Sequence, residues 1–103
     1  MRDYESHSEE RALGKRAMFD HGEIEVMREL GMARVFFGQA IAGPDLPHLR
    51  YISCGPDLAT HLGNWKNFGT HPTWNKLKAD PRYKDNTSKN TARFLVPTAY
   101  SQI

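Results

Sequence analysis

Two runs rich in β-branched and aromatic residues, 32–42 (MARVFFGQAIA) and 46–54 (LPHLRYISC), are separated by Gly43-Pro44-Asp45. Glycine supplies unusual φ, proline presets its own, and aspartate bonds its neighbours' backbone, so this triplet is turn chemistry. The pair reads as an antiparallel hairpin with a loop of several residues. In the first strand Val35, Phe37, Gln39 and Ile41 share one face, and Arg34, Phe36, Gly38 and Ala40 the other. In the second, Leu49 and Tyr51 oppose His48, Arg50, Ile52 and Cys54. Pro47 has no amide to donate and belongs at the strand's start or on an edge. Whatever surrounds this hairpin has to cover its apolar face.

Helical signals stand on both sides of it. Ser6 followed by Glu9 matches a capping box. Leu13, Ala17, Ile24 and Met27 then recur as the stripe of one long amphipathic helix, with Asp20-His21-Gly22 placing a kink near Gly22 and Gly31 ending it. After the hairpin, Asp57 is a good N-cap, and Leu58, Leu62, Trp65 and Phe68 follow at intervals of four, three and three. Gly69 ends that helix, Pro72 restarts it with Trp74 and Leu77 inward, and Asp80-Pro81 closes it. The polar run Lys84-Asp85-Asn86-Thr87-Ser88 is a loop. Residues 91–96 (TARFLV) make a final strand, and 2–5 can form only the end of a first one.

The order is therefore β-α-β-β-α-β, the split β-α-β arrangement of ferredoxin-like α+β folds: an antiparallel sheet with both helices on one face. With 103 residues the chain has room for one core, so 1–103 is a single domain. Two helices cover one face of four strands. Large apolar residues fall on both faces, so a second sheet stacked on the open one, in a homodimer, is the natural cover.

Other classes fare poorly. A net charge of +2, with Lys15-Arg16 and Lys76/Lys78 as the densest basic pairs, makes no nucleic-acid patch; those lysines read as solvated helix faces. No apolar run approaches the roughly 18–20 residues of a membrane span, and the charged start lacks a signal peptide's apolar region, so a cytoplasmic protein is expected. The lone cysteine, Cys54, closes no intramolecular disulfide and, at a strand's end, is expected as a small buried hydrophobe.

Taken together, these residues resemble the NIPSNAP family of the dimeric α/β-barrel superfamily. The resemblance begins at Arg2-Asp3-Tyr4-Glu5-Ser6 and runs through Met18-Phe19, Gly22-Glu23-Ile24, Gly31-Met32 and Val35-Phe36-Phe37. It continues in Gly43-Pro44, Leu46-Pro47 with Leu49 and Tyr51, then Trp65, Phe68, His71-Pro72 and Trp74. Tyr83, Asp85-Asn86 and Ser88, and the ending Leu95, Pro97-Thr98, Tyr100-Ser101-Gln102-Ile103, complete it. The family's first strand, of the form Tyr-Glu-x-Arg-x-Tyr, starts before Met1. A short strand suffices here, the partner chain supplements it, or the natural start lies upstream.

The resemblance implies a homodimer joined through the sheet face and hands on no settled reaction. Related branches of the superfamily include cofactor-free oxygenases, haem-degrading enzymes and isomerases, which use a pocket between helices and sheet. The leading expectation is a protein that binds a small apolar molecule and needs no cofactor; the alternative is a cofactor-independent oxygenase or isomerase acting on a small aromatic substrate. Candidate pocket residues are His21, Tyr51, Trp65, His71 and Trp74. His71, before Pro72, is expected chiefly to cap the second helical piece, and both tryptophans to serve as core. Haem degradation would draw on Trp65 with His61 or His71, but its first-strand asparagine is missing from residues 1–5. His7, His21, His48, His61 and His71 show no metal-ligand spacing. Arg34, Arg50 and Arg93 are expected to pair with acids across the dimer rather than clamp an anion.

Overall fold

A computed structural model describes residues 1–102; Ile103, the last residue of the family pattern, lies outside the described residues. Its elements are β1 (Arg2–Glu5), α1 (Glu9–Met18), a π-type turn (Phe19–Glu23), α2 (Ile24–Glu29), β2 (Ala33–Gln39) and β3 (His48–Cys54). There follow α3 (Leu58–Thr70), α4 (Pro72–Ala79), a 3₁₀ turn (Pro81–Tyr83) and β4 (Lys89–Ala92). The sheet is antiparallel with strand order β2-β3-β1-β4, which is the ferredoxin-like order. β1 has four residues, and all four are laddered on both sides: Tyr4 sits between Leu49 and Asn90, and Arg2 between Tyr51 and Ala92. Every residue of this short central strand thus has a neighbour on both sides.

The register sorts the side chains. Tyr4, Phe37, Leu49 and Tyr51 point toward the helices, where they meet Phe19, Val26, Met27, Met32 and Phe68 in the core. Phe37 stacks on Tyr51 with centroids 5.2 Å apart, and Phe19 meets both edge-on. These ring pairs add to the area they bury. The opposite face carries Asp3, Phe36, Arg50 and Ile52. A bulge between Arg34 and Phe36 shifts the alternation there, and the Phe36 ring lies across Gly38, where a Cβ would collide with it.

Several expectations are corrected. Ser8, not Ser6, caps α1, accepting from the Arg11 amide; Ser6 is buried and donates to the Asn86 carbonyl. The buried stripe of the first helix runs through Ala12, Lys15, Met18 and Phe19, while Leu13 is 53% exposed. The kink at Gly22 is real and takes the form of the π-type turn, with Gly22 at φ 145°. Gly69 does not end α3, which continues to Thr70 and stops because Pro72 forces His71 into extended backbone. Cys54 is exposed.

The largest correction concerns the last strand, expected over 91–96. β4 spans Lys89–Ala92. Arg93 exchanges two backbone hydrogen bonds with Met1, and beyond it no strand faces the chain among the described residues. Phe94, Leu95 and Val96 are 67%, 62% and 90% exposed. Strand propensity was present there, but a strand needs a neighbour.

Candidate functional site

An open cavity of about 930 Å³ lies between the helices, the 3₁₀ turn and the sheet. This is the upper end of the range typical of small-molecule sites. Trp65 and Phe68 from α3 and Trp74 from α4 form one wall, and Tyr83 with Asn86 another. Arg2 and Tyr4 come from β1, and Lys15, Met18 and Glu23 from the first helical segment. Each position follows from local structure. Tilted ring contacts of Trp65 with Phe68 and of Phe68 with Trp74, with centroids 5.1 and 5.0 Å apart, run round the α3–α4 corner that His71-Pro72 creates. The π-type turn gives the first helix the extra residue that brings Glu23 back beneath Lys15.

That pair is the cavity's most unusual feature. Lys15 Nζ donates to both Glu23 oxygens, at 2.9 and 3.2 Å, and the two residues are 4% and 2% exposed. The ammonium also lies 4.7 Å from the ring centroids of Tyr4 and Phe19 and 5.6 Å from that of Trp74. Ring faces attract a cation, and burial strengthens the effect. Burial pushes the Glu23 carboxyl above the usual carboxylate range, with Lys15 pulling it back. Neither residue was singled out from the sequence, and Lys15 was expected on a solvated face. The available signal was its place three residues after Ala12 and before Met18, on the stripe the helix buries.

The five expected site residues divide. Trp65 and Trp74 stand in the cavity wall, half-buried rather than sealed in the core. His21, Tyr51 and His71 are not in the wall. His21 stands behind Tyr83, hydrogen-bonded through Nδ1 to its hydroxyl. Tyr51 is 1% exposed within the core; its hydroxyl meets that of Tyr4 at 3.3 Å, and burial raises its proton affinity further. His71 caps α4, accepting from the Thr73 amide at 3.2 Å, while Nε2 lies 2.8 Å from Glu29. His61, one turn before Trp65, accepts the indole N–H at 2.9 Å. Burial, then the terminal amine and Arg2, lower its basicity, which suits a neutral acceptor ring.

The strand arginines do not wait for a partner's acids. Asp3 accepts from Arg50 at 2.7 and 2.9 Å and from Arg93 at 3.0 Å within the same chain. Arg34 is exposed. Among the described residues no three His, Cys, Asp or Glu side chains come together as a metal site, and no helix is long and apolar enough to cross a membrane.

A four-stranded antiparallel sheet in this order, with helices packed on one face and a cavity beneath them, defines a ferredoxin-like α+β protein. The NIPSNAP family model matches residues 1–102, and the chain belongs to the NIPSNAP family. A crystal structure of an uncharacterized NIPSNAP domain protein from Burkholderia xenovorans is similar, with a TM-score of 0.80. The two chains are 16% identical, and the match covers 97% of this chain and 93% of that one. At that identity the likeness speaks for the fold. Comparison with curated proteins returned no match.

Proposed function

We propose that this NIPSNAP-family chain is a homodimeric binding protein for a small, mainly apolar aromatic molecule, held in the cavity between helices and sheet. The observation that carries the reading is the cavity wall itself. Both tryptophans of the chain stand in it half-buried, beside the buried Phe68, Tyr83 and Tyr4. Large aromatic side chains that are left partly open beside an empty volume offer dispersion and area burial to a guest. The alternative, a cofactor-independent oxygenase or isomerase on a small aromatic substrate, rested on His21, Tyr51 or His71 facing the cavity. None of the three lines it, and no such reaction is proposed.

The homodimer is supported by what one chain leaves uncovered. Phe36 on the open sheet face is 49% exposed, and segment 93–97 presents Phe94, Leu95 and Val96 with no strand beside them among the described residues. A partner's sheet stacked on the open face, with its edge beside that segment, would cover both.

Because the only tryptophans flank the cavity, their two indole N–H signals in a ¹H–¹⁵N spectrum report on it directly. Titration with 2-naphthamide, a neutral bicyclic probe, is expected to move both signals saturably. Two indole signals that stay fixed to millimolar probe would sink the binding reading.

A further inference from the structure

The charges around the cavity do not balance, and among the unpaired cations of its wall Arg2 is the one that is not exposed. Glu23 is neutralised by Lys15, which takes both its oxygens. Asp80 is neutralised by Arg82 at 2.7 Å. What remains on the wall is Arg2 with the exposed Lys78 and Lys84, against Asp85 alone. Arg2 is half-buried, and among the described residues it forms no ion pair, acting on the Glu23 carboxylate only from beyond ion-pair distance. Its guanidinium lies over the Trp65 ring, with Cζ 3.9 Å from the centroid, and among the described residues its side-chain hydrogen bond is a 3.5 Å contact from Nη1 to the Tyr4 hydroxyl. Trp65 is itself tethered by His61, so the platform under the guanidinium is fixed. A guanidinium stacked on an indole keeps its in-plane N–H fork free, and that fork matches a carboxylate.

We propose that the cavity's ligand is a planar aromatic carboxylate, its carboxylate held by the Arg2 fork and its ring set against the indole of Trp74. This rests on the cavity being the ligand site. It adds the class of ligand: an organic monoanion rather than a neutral apolar molecule. The buried Lys15–Glu23 pair, already neutral, serves as the polar floor and does not compete for the anion. A short central strand is a rigid place from which to present such an anchor, because Arg2 is paired on both sides.

Calorimetric titration with 2-naphthoate and its neutral isostere 2-naphthamide tests this. Wild type is expected to bind the carboxylate about ten-fold or more tightly than the amide, the scale of a charge-assisted hydrogen bond. Arg2→Met should bring the ratio of the two affinities near one, and Arg2→Lys should restore part of it, since an ammonium keeps the charge and loses the fork. Equal binding of both probes by wild type overturns the carboxylate anchor and leaves the cavity reading standing. So does an unchanged ratio in Arg2→Met. If wild type binds neither probe, the cavity reading falls and the anchor with it. Should Arg2→Met fail to fold, the wild-type ratio and the Arg2→Lys ratio still decide.

Discussion

Among the described residues Lys15 and Glu23 are each other's only ion-pair partners, and that makes their substitution effects strongly coupled. Two charges taken out of water attract each other enough to offset desolvation only while both are present. Removing one partner, as in Lys15→Met or Glu23→Leu, leaves a buried group unpaired; each is expected to cost about 3–5 kcal/mol in urea unfolding. Lys15→Met with Glu23→Leu removes both charges at similar volume, and it is expected to cost far less than the sum. Additive losses around this cycle would contradict a buried, mutually dependent pair. The pair was illegible in the sequence for a physical reason. A lysine beside an arginine has the composition of a wet face, and only the π-type turn, which shifts Glu23 by one residue, brings the counter-charge beneath it. Trp65 and Trp74 were easier to pick out, because aromatic mass at helical spacing marks a packed face. Whether that face meets side chains or an opening is a matter of tertiary packing, and the sequence carries no sign of it.

The first helical segment is an element built to bend. Its break at Gly22 was visible as a glycine inside an apolar stripe, but the shape of the break depends on what packs against it. Gly22 stands at φ 145°, where an L side chain is strained, and a Cβ there would come within 3.1 Å of the Thr73 methyl and 3.4 Å of Leu77. Gly22→Ala is therefore expected to destabilise by about 1–3 kcal/mol, combining backbone strain with displacement of α4. A thermal melt should show this as a loss of several degrees, and an unchanged midpoint would contradict the close approach. The other elements were read to different depths. The hairpin and the α3–α4 corner were legible from turn chemistry and proline. The start of α1 was not, because Ser6 and Ser8 both precede acids and only the fold engages Ser6 with Asn86. The last strand was over-read, because β propensity in 93–96 says that a neighbour would be welcome and not that one exists.

At the scale of the molecule, the helices and four strands enclose one core, with surface left that a single chain does not cover. Leu58 and Leu62, on the apolar face of α3, are 56% and 52% exposed, and Phe94 meets His61 on that helix at 6.0 Å between centroids. Phe36, Leu95 and Val96 add to this surface. Asp3 pairs with both Arg50 and Arg93 within the chain, so the open sheet face carries an ion cluster of net +1 beside its apolar residues. The alternation of apolar residues on both strand faces makes this need for cover legible in the sequence; what would cover segment 93–97 is not, because a pairing between chains leaves no pattern in one chain. Size-exclusion chromatography with light scattering at micromolar concentration measures it directly. The wild-type chain is expected at twice its 11.8 kDa, and the Phe36→Asp/Val96→Asp variant is expected to shift toward a single chain. A wild-type protein that stays a stable 11.8 kDa monomer, with circular dichroism of a folded α+β domain, would contradict the dimer outright.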